Sequence, residues 1–132
     1  MIRRLLAPLA LLAAVAAVPL AGAAQEADQD AQEPEVEQGS GAVLRGLDKL
    51  NGTVTDLDIP NSSSADLGYL RLEVATCRYP AGNPAGDAYA FVTMHVIGED
   101  RPLFEGWLIA SSPALNALDH PRYDVWVLRC KT

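Results

Sequence analysis

The sequence predicts an all-β fold, a small antiparallel sandwich or partly open barrel of about six strands with one short helical turn and one disulfide. Three observations carry that prediction. Apolar residues alternate with polar ones through the segments starting at Tyr69 and Tyr89, as half-buried strands require. Turn-forming clusters, Asn51-Gly52, Pro60 to Ser64, Pro80 to Asp87 and Gly98 to Pro102, punctuate the chain at short intervals. Cys77 and Cys130 are an even pair, separated so as to staple a domain with a modest core.

The domain is expected over residues 42–132, because the two segments ahead of it have different compositions. Residues 1–24 have the three-part layout of a secretory signal peptide: Arg3-Arg4, an apolar run from Leu5 to Leu20, and small residues around a cut after Ala23 or Ala24. An apolar run of about 16 residues, interrupted by Pro8 and Pro19, falls short of the roughly 20 that span a bilayer, so no stable membrane anchor is expected after cleavage. No Cys stands at the cut to carry a lipid. The arginine pair raises the twin-arginine route, but its place at the very start, before a Leu-rich run, favours ordinary export. Residues 25–41 read as a disordered acidic linker, with Glu26, Asp28, Asp30, Glu33, Glu35 and Glu37 and no aromatic residue.

Within the domain, Ala42 to Leu50 and Thr53 to Ile59 flank Asn51-Gly52, which suits a two-residue hairpin turn. That turn would set Leu50 against Thr53, Leu44 against Ile59 and Arg45 against Asp58. Pro60 to Ser64 reads as a loop. From Tyr69 to Tyr79, Leu70, Leu72 and Val74 share one face and Arg71 and Glu73 the other, so strict parity puts Cys77 on the charged face. Either a β-bulge near Ala75-Thr76 turns Cys77 inward, or the disulfide lies outside the main core. From Tyr89 to Ile97, Ala90, Val92, Met94 and Val96 face the core, and Tyr89, Phe91, Thr93 and His95 face away. Leu103 to Ala110 is a fifth strand. Ser112 and Pro113 open a helical turn through Leu118 as cap and first position. Arg122 to Cys130 closes the domain, and its apolar run Val125 to Leu128 implies a strand covered on both faces or central in its sheet.

The stretch Gly106 to Cys130, with Leu44 to Lys49 and Cys77-Arg78-Tyr79-Pro80, resembles a family of small exported alphaproteobacterial proteins classified only as a domain of unknown function. The resemblance covers nearly the whole domain. It implies a bacterial periplasmic or secreted protein, which makes the glycosylation sequons at Asn51 and Asn61 irrelevant, and it brings no activity. The loop at Asn61-Ser-Ser-Ser departs from the Val-Gly-Glu type of turn usual there.

The formal charge of the whole chain is -7, and the domain alone carries eight basic against eleven acidic residues with nothing basic clustered. Nucleic acid is therefore not expected as a partner. The two cysteines lack C-x-x-C spacing and a neighbouring His, so a disulfide is expected rather than a metal site. No cofactor, metal or catalytic residue is assigned. Six residues form the candidate binding surface: Tyr89, Phe91, His95, His120, Arg122 and Asp124. Tyr89 and Phe91 anchor a partner if their face is open and become core if a second sheet covers it. Arg122 and Asp124 share a strand face and serve either as an internal brace or as a ligand-binding rim. The expected function is a non-enzymatic binding or scaffolding module of the cell envelope, with an envelope protein or a glycan as partner. The rival expectation is a small hydrolase or metal-dependent enzyme using His120 with Ser112, Asp119 or Asp124.

Overall fold

The structure, a computed structural model, describes residues 35–132 and the isolated positions 14 and 22. The expected signal peptide and most of the expected linker lie outside the described residues. Among the described residues eight strands follow in order: β1 Val36–Gln38, β2 Gly41–Asp48, β3 Thr53–Pro60, β4 Ser63–Leu67, β5 Leu70–Pro80, β6 Tyr89–Val96, β7 Phe104–Ile109 and β8 Tyr123–Lys131. They form two antiparallel sheets that share one core and do not close into a barrel. One runs β1-β5-β6-β7, with β4 also paired to β5, and the other runs β3-β2-β8.

Two strands more than expected come from short segments without a strong apolar pattern. β1 lies within the stretch read as linker, and its backbone pairs Val36 with Pro80 and Gln38 with Arg78. Gly39 and Ser40 then carry the chain across to the other sheet: Gly39 N–H donates to Cys77 O and Ser40 N–H to Lys131 O. β4 begins at Ser63, inside the stretch read as a loop. Only Asn61 and Ser62 turn, with Ser62 at φ 58°, before β4 pairs with β5.

The β2–β3 hairpin has a four-residue loop, not the expected two. Asp48 pairs with Thr53, which moves Leu44 opposite Leu57 and Arg45 opposite Asp56, not Asp58. Asp48 explains the change. Its carboxylate accepts Leu50 N–H at 3.0 Å while its carbonyl accepts Gly52 N–H at 2.8 Å, and Gly52 takes φ 74°. The shift preserves parity, so the expected faces survive: Ala42 and Leu44 are buried.

Two bulges decide where the disulfide sits. The β5–β6 register slips between Val74 and Thr76, turning Cys77 inward after three residues of strict alternation, Leu70, Leu72 and Val74. The β2–β8 register slips between Val43 and Leu44, which moves the inward set of β8 from Val125 and Val127 to Cys130. Each cysteine is therefore delivered to the core by one extra residue. Cys77–Cys130 joins one strand of each sheet, with the Cα atoms 5.6 Å apart. The core expected along β6 is present, with Ala90, Val92 and Met94 fully buried.

No helical turn forms at Ser112. From Ser112 to Leu118 the backbone makes one turn, Leu115 N–H to Ser112 O, and too few residues are available to repay helix nucleation. Asn116 instead donates its side-chain amide to Trp107 O at 3.1 Å, holding the segment on the edge of β7. β8 is also not central in its sheet. It ends the β3-β2-β8 path, and Trp126 lies half-buried in a groove with Pro113, Ala114 and Ala117.

Candidate functional site

The bulge that hides Cys77 has a second effect. Without it, Arg78 would point into the core; with it, Arg78 stands on the outer face of the five-stranded sheet. Strand pairing brings the outward residues of four strands together there: Val36 from β1, Arg78 from β5, Tyr89 and Phe91 from β6, and Trp107 and Ile109 from β7. Phe91 meets Trp107 edge to face, with centroids 5.3 Å apart and planes at 74°. The Arg78 guanidinium lies 5.3 Å from the Trp107 ring centroid, a cation–π contact worth about 0.5–1 kcal/mol at an exposed site. Val36, Arg78, Tyr89, Trp107 and Ile109 line one shallow apolar depression.

This face is not the one that packs on the second sheet. Tyr89, Phe91, Trp107 and Ile109 are each half-buried by their neighbours and open on their outer side, whereas their strand neighbours Ala90, Val92 and Leu108 fill the core. Of the two readings open for Tyr89 and Phe91, the structure therefore gives the outward one. Farther along the same face the chemistry changes. Thr93, His95, Glu73, Glu105, and the Arg71–Asp66 pair at 2.9 Å make a polar end. His95 thus shares a face with Tyr89 and Phe91 but sits among charges.

At the depression's margin, Asp87 fixes the chain between β7 and the turn that follows. Its carboxylate accepts the Ser111 hydroxyl at 2.6 Å and the backbone N–H groups of Ser111 and Ala88 at 2.9 Å each. Burial pushes this carboxyl up, and the hydrogen bonds from Ser111, Ala88 and the Tyr89 hydroxyl outweigh it, leaving it below its ordinary range.

His120 and Arg122 belong to a separate cluster. His120 Nδ1 accepts the N–H groups of Arg122 at 3.0 Å and Tyr123 at 3.2 Å, and its Nε2 lies 3.4 Å from the Tyr69 hydroxyl. With Nδ1 accepting, the neutral ring carries its proton on Nε2. Its ring stacks on the buried Tyr123 with centroids 5.5 Å apart. The ring nitrogens thus meet neither Ser112, Asp119 nor Asp124, the partners an enzymatic use of His120 requires. Arg122 grips Asp48 through two guanidinium nitrogens, the closest contact being 2.9 Å, and lies over the rings of Tyr69 and Tyr123. Asp124 pairs with Lys49 at 3.2 Å, and Lys49 also donates to His120 O at 2.7 Å. Among the described residues, no three His, Cys, Asp or Glu side chains converge as metal ligands.

This second cluster is internally matched, and it makes a prediction about acid. The hydrogen-bonded Arg122 holds the Asp48 carboxyl below its ordinary range against the opposing effect of burial; Arg45 does the same to Asp56 and Arg71 to Asp66. A depressed carboxyl in the folded state contributes stability above its unfolded pKa of about 3.9, and that stability is lost as pH falls through the lower folded value. Thermal melts should hold steady above about pH 5 and fall below about pH 4. In Asp48→Asn the acid limb should be shallower and the neutral-pH melt lower; an unchanged acid limb would contradict the assignment.

Of the six residues expected from sequence, the structure brings Tyr89 and Phe91 together, with His95 farther along their face, and places His120, Arg122 and Asp124 elsewhere. Trp107, Ile109, Arg78 and Val36 were not among them. Alternation in β7 was a usable signal for Trp107 and Ile109, since both flank the buried Leu108. For Arg78 the bulge removed the signal.

Comparison with known proteins is consistent with this domain. The family model described as "Uncharacterized protein conserved in bacteria (DUF2155)" matches residues 42–130, about two thirds of the chain. The chain belongs to this family. It is similar to "Uncharacterized protein RP359" of Rickettsia prowazekii (strain Madrid E), at 25% identity over 87 residues, covering 64% of this chain and 56% of that protein. The chain thus spans little more than half the length of that relative. No solved structure matches. The family match begins in β2 and ends at Cys130, so it takes in both cysteines and all of the outward aromatic face except Val36.

Proposed function

We propose that this protein is an exported, non-enzymatic binding or scaffolding module of the bacterial cell envelope, and that it binds through the outer aromatic face of its five-stranded sheet. The observation that carries the reading is the set Tyr89, Phe91, Trp107 and Ile109, gathered from two strands onto a face that the second sheet leaves open. Aromatic side chains there bury large area at small entropic cost when a partner arrives, which is why such residues concentrate binding energy. Export is supported by the leader-like composition of residues 1–24 and by the core disulfide, which is stable in an oxidising compartment.

The test is fractionation of intact bacteria after treatment with a membrane-permeant crosslinker. The expected result is a periplasmic chain, shortened to begin at Ala24 or Gln25, that runs partly as a heavier adduct. Retention in the cytoplasm, or recovery of monomer alone at every crosslinker concentration, would overturn the proposal.

A further inference from the structure

Charge sorts the possible occupants of the aromatic face. Five of the cations in the described residues stand beside aspartates: Arg45 with Asp56, Lys49 with Asp124, Arg71 with Asp66, Arg122 with Asp48 and Lys131 with Asp58. Among the described residues, Arg78 has no carboxylate within ion-pair distance. Its guanidinium instead lies over an indole, a geometry in which its in-plane N–H donors stay available to an incoming anion. Glu73 and Glu105, at the polar end of the same face, repel a ligand that is acidic along its whole length.

The apolar lining sorts them further. Around Arg78 the depression offers Val36, Trp107, Ile109 and Tyr89. A sugar ring laid there would bury several hydroxyls against few hydrogen-bonding groups, at a cost for each one left unpaired. An apolar side chain incurs no such cost. We propose that the occupant is a segment of another protein presenting an aromatic or branched aliphatic side chain directly beside a single carboxylate. The apolar side chain sits against Trp107, Tyr89 and Ile109, and the carboxylate accepts from Arg78. This rests on the reading that the face binds a partner, and it names the partner's chemistry.

The experiment follows the indole N–H signal of Trp107 by NMR in the purified, disulfide-bonded protein, assigned with Trp107→Phe. Three probes are titrated: the capped peptides Ac-Asp-Phe-Leu-NH2 and Ac-Lys-Phe-Leu-NH2, and chitotriose. The expected result is a shift with the aspartyl peptide at concentrations about fivefold lower than with the lysyl peptide, the scale of one exposed ion pair. Arg78→Glu, a change at an exposed position, should reverse that order. Equal responses to both peptides, unchanged in Arg78→Glu, would overturn the carboxylate requirement. A response to chitotriose without a response to either peptide would overturn the protein segment in favour of a glycan. No response of Trp107 to any probe would overturn the inference as stated, whereas failure of the underlying binding reading would appear separately, as absence of an adduct in cells.

Discussion

Replacing Cys77 and Cys130 together by Ala should lower unfolding free energy by about 4 kcal/mol, the chain-entropy value for a crosslink enclosing a loop of this size. The residues lie 53 apart in sequence, so the crosslink restricts more than half of the described chain when unfolded. Their position adds to the effect. Both are core residues, at 0% and 5% exposure, and they join a strand of one sheet to a strand of the other. For a domain of this size the melting temperature should drop by roughly 20 °C. Urea unfolding of the oxidised wild type and the double variant checks this. A difference below about 1 kcal/mol would show that the packing of the two sheets does not depend on the staple.

Gly68→Ala should be the next most damaging change. Gly68 turns the chain between β4 and β5 at φ 56°, where a side chain is unfavourable, and an added Cβ would collide with the hydroxyl of Tyr123. Tyr123 cannot withdraw, being 2% exposed and flanked by His120, Tyr69 and Arg122. Backbone strain and overpacking together should cost roughly 2–4 kcal/mol. Gly52→Ala separates the two causes. Gly52 has φ 74° with open space around it, so only the backbone term applies, about 1 kcal/mol. Equal losses in the two variants would mean that the turn does not rest on Tyr123 as the structure shows.

The fold class was legible because alternation in β5 and β6 is strong over many residues. Leu70, Leu72 and Val74, then Ala90, Val92 and Met94, all fall where period two puts them. What was not legible turned on single residues that break a period or on segments too short to have one. Asp48 lengthened the hairpin loop by binding two backbone N–H groups, an effect that Asn51-Gly52 masked. β4 and β1 are short, and backbone pairing with β5 holds them more than any apolar pattern of their own does. The disulfide was readable from cysteine count and separation, whereas its route into the core needed two bulges.

For the candidate surface the same logic holds. Tyr89 and Phe91 could be placed on one face from sequence, but whether that face was open depended on where the second sheet packed. Trp107 joins them only through the β6–β7 register, and Arg78 only through the bulge at Ala75. His120 and Arg122 looked equally suggestive as a string of polar residues. The structure ties them to backbone N–H groups, Asp48 and aromatic rings, so they brace the turn ahead of β8.

The central claim is that the outer aromatic face of the five-stranded sheet meets a partner in the cell. The most direct measurement places a photoreactive benzophenone amino acid at one of two outward-facing positions and irradiates living cells. One position is Trp107; the other is Val54, on the outer face of the three-stranded sheet. A discrete adduct from the Trp107 position and none from the Val54 position is the expected result. No adduct from Trp107, or the same adduct from both positions, would contradict the claim.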